Sequence, residues 1–279
     1  RCDCTMPETE LTIIEPNRLL RGLELRDLWR HRELLFFMIW RDVMIRYKQT
    51  IIGVTWAILQ PVLTTAVFTL IFSNFARFDT SDVPYALFAL SGVMIWLFVH
   101  TSITMASNSF VTNTNLVTKV YFPRLILPLA ATIAALTDLV FSVVIAVLLM
   151  FYFGVAVTPQ VVFAPLFLLL AILLAASLGT LFSALNVRFR DVKFALPFLL
   201  QVWMIASPIF YPSNLLSENL RLVFAINPMT GILSGFRSSL FGIVFDWQVI
   251  GISCISIGVI AVLSLLVFKW MEDDFADIV

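Results

Sequence analysis

The stretch RDVMIRYKQTIIGVTWAILQP, Arg41 to Pro61, changes character within a few residues. It opens on Arg41, Asp42, Arg46 and Lys48, and no further charge occurs before Arg77. A basic collar, Gly53 and then Trp56 at the start of an apolar run are the features of a helix entering a membrane, because Trp sits at the boundary between headgroups and hydrocarbon. Uncharged sequence continues from Trp56 to Ala76. That is enough for one span, since a hydrocarbon core of about 30 Å takes about 20 helical residues.

The composition agrees. Hydrophobic residues make up 60% of the 279-residue chain and the mean hydropathy is +0.97, against roughly 45–50% apolar residues in soluble domains. Further long stretches with few or no charges follow. Tyr85 to Asn108 contains only His100, and Leu125 to Val187 is interrupted only by Asp138. The latter is too long for one span, and the GVAVTP break at Gly154–Pro159 divides it into two. A fifth span is expected from Phe194 to about Tyr211 and a sixth from Trp247 to Phe268, giving an all-α membrane protein of six spans. Of the 18 Lys and Arg residues, all but Arg77, Arg221 and Arg237 fall before the first span, in alternate connections or after the last span. Basic residues concentrate on the cytoplasmic side, so both termini are expected there.

This gives four segments: a disordered tail over 1–24, a cytoplasmic amphipathic segment over 25–55, the six-helix domain over 56–268, and a short cytoplasmic tail over 269–279. No cleavable signal peptide is recognisable in the basic first 50 residues. Between Leu25 and Ile39 the apolar residues, including Leu28, Trp29 and Phe36, share one helical stripe. They suit a helix lying in the membrane interface, apolar face down, with a cap helix packed on the bundle as the alternative. NTNLVTKVYFPRLILP, Asn113–Pro128, reads as a short helix capped near Asn115 and ending at Lys119, after which Phe122-Pro123-Arg124 turns the chain back to the membrane. Between spans five and six the sequence is apolar but broken by Pro208, Pro212, Pro228 and Gly231. Two short re-entrant helices are expected here, an arrangement that avoids burying Arg237.

Several activities lack their residues. None of the ten Gly is followed by Lys, so there is no G-x-x-x-x-G-K phosphate loop. The two His and the absence of a paired-carboxylate pattern leave no catalytic constellation. Cys2 and Cys4 have no second ligand pair at metal spacing, so neither a metal site nor a catalytic site is expected. Asp138 reads as a hydrogen-bonding group inside the bundle or as a lone proton relay without a basic partner in the neighbouring spans.

Three segments together resemble the membrane subunits of type-2 ABC exporters, the polysaccharide-export permeases that move O-antigen or teichoic-acid chains. They are RDVMIRYKQTIIGVTWAILQPVLTTAVFTLIF, NTNLVTKVYFPRLILPLA and LNVRFRDVKFALPFLLQVWMIASPIFYP. The resemblance runs from Leu25 to Phe268. It implies two permease copies in the bacterial inner membrane with two separate ATPase subunits that bind ATP and Mg, while this chain holds no cofactor and binds no nucleic acid. The partners would be a second copy, the ATPases, membrane lipid and a lipid-linked polysaccharide.

By position, the resemblance implies an interface helix around Leu28, Trp29 and Phe36, and ATPase coupling through Asn115, Lys119, Tyr121, Phe122, Pro123 and Arg124. A second cytoplasmic loop would hold Arg188, Arg190 and Asp191. Pro228 and Gly231 are expected to set the turn of an exit gate. Aromatic faces let sugars slide, which makes Tyr85, Phe88, Trp96, Trp203, Phe210 and Tyr211 the candidates for channel lining. The alternatives are efflux of a lipid or small amphiphile by the same machinery, or a stand-alone proton-coupled carrier or channel.

Overall fold

The computed structural model describes residues 25–48, 53, 55–75, 83–212 and 218–272. Every regular element among them is helical. The order is α1 (Leu25–Arg30), α2 (Arg32–Lys48), α3 (Thr55–Phe75), α4 (Tyr85–Thr112), α5 (Thr114–Lys119), α6 (Ile126–Ala134) and α7 (Leu136–Phe153), then a 3-10 turn at Pro159–Phe163. After it come α8 (Ala164–Arg188), α9 (Val192–Ile205), α10 (Glu218–Ala225), α11 (Pro228–Phe241) and α12 (Trp247–Glu272). The tails expected over 1–24 and 273–279 lie outside the described residues.

Among the described residues five stretches are long and apolar enough to cross a membrane: α3, α4, α6 together with α7, α8 with its leading 3-10 turn, and α12. The expected fifth span differs from these, because α9 stops after 14 residues. Its length is about 21 Å at 1.5 Å per residue, well short of a hydrocarbon core. The chain then runs without regular helix from Ala206 to Pro212. At the turn between α7 and α8, Gly154 takes the left-handed conformation with φ of 68°, which ends α7 without the Cβ penalty other residues would meet.

α4 is the central post. Its apolar stretch is 78% buried, against 17% for α3 and 28% for α12, so the other helices gather around it while α3 stays peripheral. Close crossing of α4 and α8 depends on small residues: a Cβ at Gly179 would lie 2.7 Å from the Ala106 Cβ. Small side chains let helix backbones approach where lipid supplies no hydrophobic drive for association. A second, smaller core joins Met38 of α2, Phe110 at the end of α4, Val117 of α5, Ile126 and Leu127 of α6, Val187 of α8 and Phe268 of α12. It closes the end of the bundle at which α2 and α5 lie.

The N-terminal helices show a difference from the expected single stripe. A turn at His31 separates α1 from α2, and the two edges of the stripe meet different environments. Leu28, Leu35 and Ile39 pack against the second core. Trp29 and Phe36, in contrast, are 71% and 68% exposed, in line with the also exposed Phe37, Trp40 and Ile45 on α2.

Candidate functional site

At the α5 end of the bundle, the expected coupling residues fall into two groups. Asn115 and Lys119 are exposed on α5, and Tyr121 projects with 99% of its surface free. Phe122, next to it, is buried in the second core. Pro123 is half-buried and starts the turn into α6, where the Ile126 N–H donates to its carbonyl at 3.0 Å. Arg124 donates to the Glu272 carbonyl at the end of α12. Phe122 and Arg124 therefore anchor the segment, while Asn115, Lys119 and Tyr121 form its outward face.

The second loop lies at the same end. Asn186 is buried and donates to the Ser107 carbonyl at 2.8 Å, tying α8 to α4. Arg188 is exposed, with its guanidinium 5.4 Å from the Trp270 ring and 5.7 Å from Phe189. Arg190 and Asp191 are exposed, and the Asp191 carbonyl accepts from Phe194 and Ala195 as α9 begins. The surface formed by Arg188, Arg190 and Asp191 is charged and joins α8 to α9.

At the opposite end, the structure corrects the reading of Arg237. The two short helices α10 and α11 are present, yet Arg237 is buried. Its Nη1 donates to the Pro208 carbonyl at 2.7 Å, its Nη2 to the Ile209 carbonyl at 2.6 Å and the Phe88 carbonyl at 3.3 Å, and its Nε to Ser91 Oγ at 3.3 Å. The guanidinium also lies 3.7 Å from the centroid of the Phe88 ring. Among the described residues no carboxylate pairs with it. Its partners are instead the carbonyls released where α9 breaks, which no lipid could satisfy. Tyr85 donates to the next carbonyl, Phe210, at 2.8 Å. Only glycine fits at position 92, where a Cβ would stand 2.6 Å from Arg237 Nη2 and 2.7 Å from the Ile209 carbonyl.

Asn227 is a second residue that sequence reasoning missed. Its Oδ1 accepts from the Met229 backbone at 3.1 Å, capping α11, and from Trp203 Nε1 at 2.9 Å, while its Nδ2 donates to Ser207 Oγ at 2.9 Å. The turn between α10 and α11 falls at Ile226 and Asn227, so Pro228 and Gly231 do not set it. Pro228 is the first residue of α11, where its missing N–H costs nothing. Gly231 lies inside α11 against α12: its N–H donates to Ser253 Oγ at 3.0 Å, and a Cβ would come within 2.4 Å of Ser253 Cβ. Asn is a strong N-cap residue, and Asn227-Pro228 was the signal available.

The channel aromatics also divide. Phe88, Trp96 and Phe210 are buried within the chain, because they pack under Arg237, edge-on to Trp203 at 5.5 Å, and stacked on Phe68 respectively. They are core residues here. Tyr85, Trp203 and Tyr211 remain half-buried.

Asp138 has the basic partner that its neighbouring spans lack. Arg46, near the end of α2, forms an ion pair with it, and the Tyr47 hydroxyl donates to the same carboxylate. Burial and the adjacent carboxylate push the Tyr47 phenol up from its ordinary range, which keeps it a donor.

The sequence is 29% identical over 215 residues to the O-antigen export system permease protein RfbA of Myxococcus xanthus, covering 76% of this chain and 82% of the relative. It is 25% identical over 249 residues to the protein of the same name from Klebsiella pneumoniae, covering 88% and 95%. Similarity extends to the capsule polysaccharide export inner-membrane protein CtrC of Neisseria meningitidis, 25% identical over 225 residues, covering 78% and 83%. Residues 33–241, from α2 through α11, match the family described as ABC-2 type transporter, and the chain belongs to that family.

Proposed function

We propose that the chain is the permease subunit of an ATP-driven exporter that moves a lipid-linked polysaccharide across the bacterial inner membrane. Two copies form the pathway and two separate ATPase subunits bind ATP and Mg. The observation that carries the reading is family membership across nearly all the helical bundle, joined to relatives named for O-antigen and capsule export. Two features support the division of labour. The sequence contains no phosphate loop, and the outward face of Asn115, Lys119 and Tyr121 stands on a rigid base made by Phe122 and Arg124. A partner pressing on that face moves α4 and α6 together, since the second core packs them against each other. Both termini lie on the ATPase side in this reading.

The test is reconstitution. Inverted membrane vesicles holding the chain and an ABC ATPase subunit should accumulate a lipid-linked glycan in the lumen when ATP is supplied, and neither protein alone should do so. Uptake of a small amphiphile with no glycan uptake would replace the reading with drug or lipid efflux. Glycan uptake without the ATPase would remove the ABC mechanism altogether.

A further inference from the structure

A cavity of about 510 Å³ opens where α2 ends, between the first turns of α3, the middle of α4 and the start of α7. Its polar wall consists of Arg46, Tyr47, Trp56, Gln60, Thr101, Asp138 and Ser142. The rest is apolar, chiefly Met94, Leu97, Phe98 and Leu139. A second cavity of about 370 Å³ continues the same seam one turn further along all three helices. It runs from Val62 to Leu70 on α3, past Ala86 and Leu90 on α4 and Ile145 and Leu149 on α7, and its only polar side chains are those of Thr65 and Thr69.

The depth of this seam follows from the helix lengths. Phe151, Tyr152 and Phe153 are exposed at the end of α7 and mark one boundary of the bilayer. Asp138 lies fifteen residues before Phe153, about 22 Å along the helix, which leaves it roughly 8 Å from the other boundary of a 30 Å core. From Asp138 to Leu149 the seam then extends about 16 Å, or half the hydrocarbon thickness. The seam is polar about 8 Å inside that boundary and apolar over the next 16 Å or so, ending past the midplane, which fits a headgroup drawn inward and one acyl chain below it.

The charge pattern selects the headgroup. Arg46 and Asp138 cancel, so a net anion would bring an uncompensated charge into a low-dielectric site. A headgroup with one phosphate and one ammonium meets the remaining capacity of both. The phosphate takes donors from Arg46, Trp56 and Gln60, none of which spends all its N–H groups within the chain. A primary ammonium donates to the free lone pairs of Asp138, which a quaternary one could not do. We infer that this seam is a binding site for a zwitterionic phospholipid of the leaflet adjoining α2, with phosphatidylethanolamine chemistry at Arg46 and Asp138 and an acyl chain lying between α3, α4 and α7. The bound lipid would fill the gap between the peripheral α3 and the bundle. Its presence does not depend on what the transporter exports.

The experiment uses the full chain in nanodiscs with phosphatidylethanolamine carrying a photoreactive group on its acyl chain, and maps the adducts by mass spectrometry. Label is expected on peptides covering 56–70 and 138–149, displaced by unlabelled phosphatidylethanolamine about tenfold better than by phosphatidylglycerol, as one charge-assisted hydrogen bond allows. Asp138→Asn should abolish that preference. Ala66→Phe, on the exposed side of α3, should block the apolar part and remove the label while α2 keeps its anchor. Equal displacement by phosphatidylglycerol in the parent chain would overturn the assignment, as would label spread evenly over α12. Stronger displacement by a polyprenyl-phosphate lipid would also overturn it and give the seam to a carrier lipid.

Discussion

Tyr121 and Phe122 are neighbours in sequence and opposites in environment. Replacing Phe122 by Ala removes a buried ring from the second core and is expected to cost about 3–5 kcal/mol. Tyr121→Ala removes an exposed side chain and should change stability by no more than about 0.5 kcal/mol. Unfolding in detergent should therefore shift for the first variant and not for the second. If Tyr121 forms part of the contact with an ATPase, the variant with normal stability is the one that loses export. Unchanged export in Tyr121→Ala would place the contact elsewhere. Arg237 follows another logic, since it serves carbonyls rather than an acid. Arg237→Met leaves the Pro208 and Ile209 carbonyls buried without donors, and a loss of about 3 kcal/mol or more is expected. Arg237→Lys keeps the charge but cannot match the planar fork that reaches three carbonyls and Ser91. It should recover only part of the loss, as read by thermal unfolding. Full recovery by Lys would mean that charge alone matters at this position.

Among the elements, α3, α4, α6 with α7, α8 and α12 were legible because each contains a run of spanning length with at most one charge. α9 was not. Its apolar sequence runs on through SPIFYP, and hydropathy does not distinguish a continuing helix from an irregular segment whose carbonyls are held by protein. The partners that make the break tolerable, Tyr85, Asn227 and Arg237, are distant from it in sequence or lie beyond a further helix. The same blindness hid the partners of Asp138, which are 91 and 92 residues away. Pro228 and Gly231 are expected from the sequence to set a turn, but the first opens a helix and the second permits a crossing. That difference has a measurable result. Gly231→Val would drive a branched side chain into Ser253 at the α11–α12 contact, so it should separate these helices and lower the unfolding temperature. A change confined to loop geometry would instead leave the stability intact.

At the scale of the whole molecule, the question is which faces meet lipid and which meet water or protein. α12 is a full-length span whose exposed residues beyond its first turn, such as Ile255 and Val259, are apolar or glycine, and lipid alone can cover that length. α9 is different: it is too short to span, buries only Leu196 and Leu200, and exposes the polar Gln201 beside Phe198 and Val202. A polar amide and the end of a broken helix are costly against hydrocarbon. If two copies form the pathway, as proposed, this is the face expected to border it. A Cys at position 201 should therefore react with a membrane-impermeant maleimide in the complex of permease and ATPase, while a Cys at position 255 stays unreactive until the membrane is dissolved. If nucleotide opens the pathway, the rate at 201 should also change when ATP is added, because the water-filled volume around it changes. Equal inertness at both positions would mean that α9 faces lipid or a dry protein contact, and the route for the glycan would have to lie along another helix of the bundle.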